Sequence, residues 1–187
     1  MKQIGIFSVL AALLLGLSAC SHKKKSENII ADRVIHVAPQ APVRMQPFAD
    51  ERDVAWIGKT YHVSISREAN DSLPMVKDET GQKFVDNAVV LTVSRADRSV
   101  FFSRTFTKRD FQQYLDADYS KTGILEGFVF AKADGDWLEF AASVSHPQTD
   151  EYIPLVVRLS RMSDVTIAVD SQMDTRSEKS EEAAAED

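Results

Sequence analysis

The chain has 187 residues, 44% of them hydrophobic and 27% charged, which is enough for one domain with a sizeable core. Its formal net charge is −6, and this acidic balance argues against nucleic acid as a partner. The single cysteine excludes an intramolecular disulfide, so the folded part must be stabilised by burial alone.

The N-terminus has the organisation of a secretory signal. Lys2 precedes an apolar stretch over residues 4–17, which is too short to span a bilayer comfortably. The stretch ends in Leu17-Ser18-Ala19-Cys20, which resembles the bacterial lipobox, in which small residues precede a cysteine that becomes lipid-modified and is the new N-terminus after cleavage. We therefore predict a signal peptide over residues 1–19 and a lipid on Cys20 that anchors the protein in a membrane.

A tether is predicted over residues 20–55. It begins with a basic cluster, Lys23 to Lys25, which anionic lipid headgroups attract. It continues through the sequence HVAPQAPVRMQPF, whose three prolines are typical of an extended linker. The predicted folded domain begins after it.

Residues 56–169 form that domain, and alternation of apolar and polar residues marks its first strands. A short turn separates the second strand from the third, so these two are predicted to form a hairpin. The apolar positions that share a face are Tyr61, Val63 and Ile65 in the first strand, Val85, Val89, Leu91 and Val93 in the second, and Val100, Phe102 and Phe106 in the third.

One short helix is predicted over residues 107–116. Thr107 and Asp110 have the spacing of a capping box, in which each residue can satisfy a free backbone N–H of the first turn. Phe111, Tyr114 and Leu115 follow at helical spacing, and Gly123 is available to stop or turn the chain.

Four strands are predicted after the helix. Asp134-Gly135-Asp136 lies between two apolar runs, which is a strong hairpin signal because a tight turn needs a positive φ that glycine adopts freely. Alternating apolar residues then continue over residues 153–159 and 165–169. Pro154 has no N–H for a β-ladder, so its strand is predicted to lie at an edge or to be bulged there.

Short connections make consecutive strands antiparallel neighbours. The sequence therefore predicts a mainly β fold, an antiparallel barrel-like or sandwich domain of about seven strands with one short helix over residues 107–116. An open antiparallel sheet backed by the helix, an α+β arrangement, is the alternative.

The C-terminal segment, residues 170–187, is predicted to be an acidic disordered tail. It carries seven acidic residues against two basic ones, and so accounts for −5 of the net charge of −6. Its only large apolar residue is Met173, and such a composition cannot bury enough surface to offset the entropy lost on folding.

Four stretches together resemble an uncharacterised family of Bacteroidales lipoproteins that is classed as a domain of unknown function. The resemblance covers residues 56–169 and the lipobox, and it implies an envelope location but no activity and no catalytic residue. In gut Bacteroidales lipoproteins an acidic run after the cysteine marks export to the cell surface, so the basic cluster favours an outer-membrane protein that faces the periplasm. The stretches are GKTYHVSISREANDSLPMVKDETGQKFVDN, FFSRTFTKRDFQQYL, GILEGFVFAKADGDWLEFAASVS and HPQTDEYIPLVVRL.

The loop over residues 67–83 is the first candidate binding surface. It is long for a compact domain, and loops of this kind are often functional. Its apolar residues Leu73, Met75 and Val76 can act as a lid or contact a partner. The alternative is that they plug one end of a barrel.

The second candidate is the cluster of His146, Asp150, Glu151 and Tyr152. A general base needs positioned partners of this kind. However, Pro147 and the polar residues after it are also good turn chemistry, so the alternative is a connection between two strands. We favour the turn, and we predict no catalytic residue, because no nucleophile motif occurs elsewhere in the chain.

No cofactor and no metal site is predicted. Asp116-Ala117-Asp118 and Asp134-Gly135-Asp136 alternate carboxylates, but neither extends into a calcium-binding loop with its terminal glutamate. The four histidines lie in separate segments without the paired spacing of zinc ligands. Trp56, Tyr61 and Trp137 can stack on a sugar ring if they are exposed, although such residues more often lie in a core.

The sequence thus predicts a lipid-anchored protein of the cell envelope. Its predicted role is that of a non-enzymatic binding or accessory module whose partner is an unknown envelope protein or a small ligand. A small envelope hydrolase is an alternative from a different class. A scaffolding lipoprotein that acts through protein contacts is the third interpretation.

Overall fold

The computed structural model describes residues 40–171. The predicted signal peptide, the lipidation site Cys20, the first part of the tether and residues 172–187 of the predicted tail lie outside the described residues. Within residues 40–171, no helix combines the length and the hydropathy needed to cross a membrane.

Two four-stranded antiparallel sheets dominate the fold, with strand orders β1-β2-β5-β6 and β10-β9-β8-β7. A third sheet consists of the short strands β3 and β4. The elements are β1 Phe48–Trp56, β2 Lys59–Ala69, β3 Val76–Lys77, β4 Lys83–Phe84, β5 Asn87–Arg95, β6 Val100–Thr107, a 3₁₀ helix Lys108–Tyr114, α1 Ala117–Thr122, β7 Ile124–Asp134, β8 Trp137–Ser145, β9 Tyr152–Ser160 and β10 Val165–Val169.

The two large sheets share one hydrophobic core. Ile65 and Leu91 of the first sheet and Phe140 and Val157 of the second are fully buried in the same cluster. Burial of one such side chain contributes about 1.5–3 kcal/mol to folding, so the paired inner faces hold the domain together. The mainly β prediction is confirmed, and the described residues form a sandwich of two sheets rather than a closed barrel or a single open sheet.

Strand β1 lies mostly within the predicted tether, so the boundary of the tether at residue 55 was wrong. Phe48–Trp56 pairs with β2 along its whole length. In its sequence FADERDVAW, only Val54 and Trp56 are buried. The charged residues before them hide the alternation of apolar and polar residues that marks a strand. Charges are common on edge strands because they discourage pairing with another chain.

Strand β9, which contains Pro154, is an interior strand, so the predicted edge position was wrong. The backbone N–H of Asp170 donates to the Pro154 carbonyl at 3.0 Å. In an antiparallel strand, the N–H and the C=O of one residue point to the same side. The position of the missing N–H of Pro154 is therefore on the β10 side, next to the end of β10 at Val169. The absent donor therefore removes no hydrogen bond from the interior of the ladder.

The predicted helix over residues 107–116 is a 3₁₀ helix that is followed by a separate α1. Its capping contact is present, because the Thr107 N–H donates to Asp110 Oδ2 at 2.8 Å. Leu115 adopts an extended backbone and ends the first helix. The Asp116 carboxylate then accepts the N–H groups of the next turn, and this begins α1.

The predicted Asp-Gly hairpin is confirmed between β7 and β8. Asp134 pairs with Trp137, and Gly135 has a φ of +54°. At the other end of β7, Gly123 ends α1 with a negative φ that any residue can adopt. Glycine is required there because a side chain would not fit. A Cβ there would lie 2.7 Å from the Tyr119 carbonyl oxygen and 2.8 Å from Val144 Cγ1.

Candidate functional site

Helix α1 borders two clefts. The first, of about 560 Å³, contains Lys108, Arg109 and Lys121, and we call it the basic cleft. The second, of about 510 Å³, contains Asp78, Glu79, Asp118, His146 and Glu151, and we call it the acidic cleft. The remaining residues of the basic cleft are Ser72, Leu73, Pro74, Met75, Val76, Asp86, Thr107, Gln112, Leu115 and Ser120, and those of the acidic cleft are Thr80, Thr122, Pro147, Gln148 and Thr149.

The segment between β2 and β5 forms a wall of both clefts. A small second core of Val76, Phe84 and Ile124 holds it against β7, and Met45 packs on this core. The chain before β1 also contacts it, because the Val43 N–H donates to the Lys83 carbonyl and the Val43 carbonyl accepts from the Val85 N–H, both at 2.9 Å. The apolar wall is thus fixed by the segment that the sequence assigned to the tether.

Asp86 lies in the buried part of the basic cleft and is only 3% exposed. Its Oδ1 accepts the backbone N–H of Asn87 at 2.8 Å and that of Leu125 at 2.9 Å. Burial raises the pKa of the carboxyl group, and the two N–H groups and Lys108 oppose this shift. Asp86 therefore connects the start of β5 to the start of β7.

Lys108 lies beside Asp86 and is also largely buried. Its Nζ donates to the Gly123 carbonyl at 2.6 Å and lies 3.9 Å from Asp86 Oδ2. Burial lowers the pKa of the ammonium group, and the Asp86 charge opposes this shift. Since a lysine near the end of a helix satisfies its free carbonyl groups, Lys108 stabilises the end of α1.

Arg109 and Lys121 are exposed, and neither forms an ion pair with another described residue. The wall beside them is apolar. Met75 is 44% exposed and Leu73 is half-buried. The basic cleft therefore combines two cations that have no partner with accessible apolar surface.

His146 occupies the acidic cleft between two carboxylates. Its Nδ1 lies 3.1 Å from Glu151 Oε2, and its ring stacks on Tyr119 with centroids 4.0 Å apart. Nε2 lies 3.3 Å from Asp118 Oδ2, but the angles do not give a hydrogen bond, and this nitrogen is buried. Burial and the carboxylates around it raise the pKa of Tyr119.

Three of the four carboxylates of the acidic cleft, Asp78, Asp118 and Glu151, have partners among the described residues, and Glu79 has none there. Asp78 accepts hydrogen bonds from the Thr80 hydroxyl at 2.7 Å and from the Gln82 N–H at 2.9 Å. The Thr80 hydrogen bond is the main reason that the pKa of Asp78 is lowered. Asp118 accepts from the Thr122 hydroxyl at 3.2 Å. These contacts lie largely within single turns of the chain.

The segment from His146 to Glu151 is a tightly bonded turn between β8 and β9. The His146 N–H donates to the Glu151 carbonyl at 3.0 Å, and the Thr149 hydroxyl donates to the His146 carbonyl at 3.1 Å. Of the predicted cluster, His146 and Glu151 meet in the acidic cleft. Asp150 is exposed and lines neither cleft, and Tyr152 belongs to β9 and also lies outside both.

The three apolar candidates of the first loop meet in the basic cleft, but with different exposure. Val76 is only 4% exposed and belongs to the small second core, as the plug interpretation expects. Leu73 and Met75 remain accessible from the cleft.

Other candidate residues have structural contacts. Asp116 caps α1, while Asp134 pairs with Lys132 at 3.2 Å. Trp56 and Tyr61 are buried and pack edge to face at 5.1 Å, so they belong to the core, the position that the sequence favoured, and are not accessible to a sugar ring. Within residues 40–171, no group of three or more His, Cys, Asp or Glu has an arrangement that could hold a metal ion.

Sequence reasoning missed the polar residues of the basic cleft. The sequence offered one indication of Asp86, because a polar residue next to the apolar Val85 at the start of a strand can be a buried polar residue. Arg109 and Lys121 carry no local signal, because they belong to helical segments that meet the loop only in the folded chain.

The fold and the clefts define a two-sheet antiparallel β domain with two clefts of opposite charge beside α1. The chain belongs to the family described as Domain of unknown function (DUF4738), whose model matches residues 29–167. This range contains both clefts and confirms the predicted membership of a domain of unknown function. A comparison of the sequence with curated proteins finds no match.

Proposed function

We propose that the protein is a binding or accessory module of the bacterial cell envelope and that it binds its ligand in the basic cleft. One observation carries this proposal: Arg109 and Lys121 form no ion pair with any residue of the range 40–171, and they border the same cleft as the accessible Leu73 and Met75. Ligand sites commonly combine an apolar wall with a few polar groups in a concave surface of this size.

The location rests on the N-terminal sequence. The apolar stretch that ends in Leu17-Ser18-Ala19-Cys20 supports a lipid on Cys20, and the basic residues after it support a periplasm-facing position in the outer membrane. We include the protein among the envelope lipoproteins of Bacteroidales because residues 56–169 and the lipobox together resemble that family. Replacement of Cys20 by serine should abolish incorporation of a labelled fatty acid into the protein, because serine has no thiol to accept the lipid.

The contacts of His146 favour a binding module over a hydrolase. A serine or threonine nucleophile is activated by a hydrogen bond to a histidine ring. None of the described hydroxyl groups donates to the ring of His146, whose closest polar neighbours are carboxylates.

Gln112 and Gln113 provide a matched test of the cleft. Both are exposed, but only Gln112 lines the basic cleft. Full-length protein and its Gln112→Trp and Gln113→Trp variants would be purified from their native envelope, and small molecules that copurify would be identified by mass spectrometry. A tryptophan at position 112 should fill the cleft, while one at position 113 should not.

A small molecule that is retained by the wild type and by Gln113→Trp but lost from Gln112→Trp supports the proposal. Retention by all three proteins would place the ligand elsewhere. If no small molecule copurifies, and the same protein partner is recovered with all three, the scaffolding interpretation replaces it.

A further inference from the structure

The cations of the basic cleft indicate the chemistry of its ligand, and this step rests on the function proposed above. Several surface arginines already have a carboxylate partner, as Arg104 has in Asp110 at 2.6 Å and Arg161 has in Asp136 at 3.5 Å. Cations without a partner also occur elsewhere, as at Lys59, so lack of a partner is not sufficient by itself. Arg109 and Lys121 differ because they border one concave site.

The net charge of the cleft is positive even when its acidic residue is counted. Asp86 and Lys108 lie side by side and are both directed to backbone groups, so their charges largely offset each other. Arg109 and Lys121 are then left as two uncompensated positive charges at the accessible surface. An anionic group can bind there without displacing an existing ion pair.

The apolar wall adds a second requirement. Leu73, Pro74 and Met75 lie on one side of the cleft, and Leu115 of the segment after the 3₁₀ helix also lines it. A free inorganic anion would leave this surface exposed to water, whereas a ligand with an apolar part would cover it. Covering apolar surface contributes roughly 25 cal/mol per Å².

The acidic cleft adds to the preference of the basic cleft for an anionic ligand over a cationic one. Asp78, Glu79, Asp118 and Glu151 line it on the other side of the same helix. An anion is repelled from that side and attracted to the basic cleft, and a cationic ligand has the opposite preference.

We propose that the basic cleft binds a free small molecule that carries one carboxylate or phosphate group joined to an apolar chain. Arg109 and Lys121 bind the anionic group, and the wall of Leu73, Pro74 and Met75 contacts the chain. The cleft volume of about 560 Å³ is within the usual range for a ligand of this size.

Photoreactive probes can test this assignment. Full-length protein in nanodiscs of neutral lipid would be exposed to decanoate, decyl phosphate, decanol and decylammonium, each with the same diazirine in the chain, and labelled residues would be mapped by mass spectrometry. Decanoate and decyl phosphate should label residues 72–76 and 107–121. Decanol and decylammonium should label them much less at equal concentration.

A matched pair of variants separates the cleft from general charge effects. Arg109→Gln with Lys121→Gln should raise the decanoate concentration needed for half-maximal labelling about tenfold or more, because charge-assisted contacts are lost. Lys59→Gln with Arg98→Gln removes the same charge near the far end of the first sheet and should leave it unchanged. Circular dichroism checks that both variants fold.

Each other outcome overturns the assignment in a different way. Equal labelling of the cleft by all four probes would mean that the cleft binds an apolar chain but does not select an anionic group. Loss of labelling when anionic lipid replaces neutral lipid in the nanodisc would identify a lipid headgroup as the bound anion. If no probe labels the cleft, the ligand class is wrong, while the copurification experiment with Gln112→Trp still decides the proposed function.

Discussion

The two clefts beside α1 differ in what their charged groups contact. In the acidic cleft, His146 lies between Glu151 and Asp118, and Asp78 is held by Thr80 of its own turn. In the basic cleft, Asp86 and Lys108 have partners, but Arg109 and Lys121 form no ion pair within the part of the chain that the structure describes. The same helix and the same loop therefore border an acidic cleft in which three of four carboxylates have partners and a basic cleft in which both exposed cations lack one.

A cluster of reactive side chains in a sequence can be accounted for by contacts within the fold. The His146 cluster is conspicuous in the sequence, but hydrogen bonds within a turn account for most of its polar groups. Arg109 and Lys121, which form no ion pair with another described residue, belong to no recognisable sequence pattern. The predictions below test whether this difference between the clefts is real, in order of decreasing expected effect.

The largest effect is expected when the buried carboxylate of the basic cleft is removed. Asp86→Ala leaves the N–H groups of Asn87 and Leu125 without an acceptor and leaves Lys108 without its partner. The free energy of unfolding should fall by about 3–5 kcal/mol, as measured in urea. Asp71→Ala, which removes an exposed carboxylate paired with Arg44, should change it by less than about 1 kcal/mol. Equal effects would mean that Asp86 is not structural.

A smaller effect is expected when the helix between the clefts is displaced. Gly123→Ala places a Cβ against the Tyr119 carbonyl and Val144. The free energy of unfolding should fall by about 1–3 kcal/mol, and labelling of the basic cleft by decanoate should change. Gly58→Ala, at a turn with φ of +73° and no atom within 4 Å, tests strain without crowding. An unperturbed Gly123→Ala would show that the helix can shift at no cost.

The pH dependence of stability is the third test. Because burial raises the folded pKa of Asp86 above its ordinary value of 3.8, the folded protein binds, between pH 3.8 and that raised pKa, a proton that the unfolded chain has lost. Stability from this group is complete below pH 3.8 and is lost as the pH rises through the folded pKa, at up to about 1.4 kcal/mol per pH unit. Asp86→Asn should lack this slope, and an identical pH profile for both proteins would contradict the raised pKa.

The smallest effect is expected in the acidic cleft. A double-mutant cycle with His146→Ala and Glu151→Ala measures the coupling of a pair whose carboxylate is exposed. We expect a coupling of about 0.2–1 kcal/mol at neutral pH, and no change in labelling of the basic cleft by decanoate. A coupling as large as the effect of Asp86→Ala would reverse the contrast between the two clefts.

Local patterns predicted much of the fold because strand faces repeat every two residues. Val89, Leu91 and Val93 share a parity in the sequence and are fully buried. The same rule missed β1, whose charged residues hide two inward positions, and the two-residue strands β3 and β4 are too short to show any period. The helix was divided because Leu115 adopts an extended backbone and Asp116, five residues after the buried Phe111, caps a new helix.

The candidate site was less predictable because its parts come from distant segments. Leu73 and Met75 could be proposed from their loop, since an apolar segment in a long loop is unusual. Arg109 and Lys121 reach the same cleft from two other segments. Asp86 bonds Leu125 across 39 positions of sequence, and no local spacing predicts such a contact.

The contact of Val43 with the segment before β5 also has a mechanical consequence. A pulling force applied at residue 40 reaches the two hydrogen bonds of Val43 and the pair of Arg44 with Asp71 before it reaches β1. These contacts attach to the wall of the basic cleft and not to the main sandwich. Tension on the N-terminal side is therefore transmitted first to the cleft, which can deform while the two large sheets stay intact.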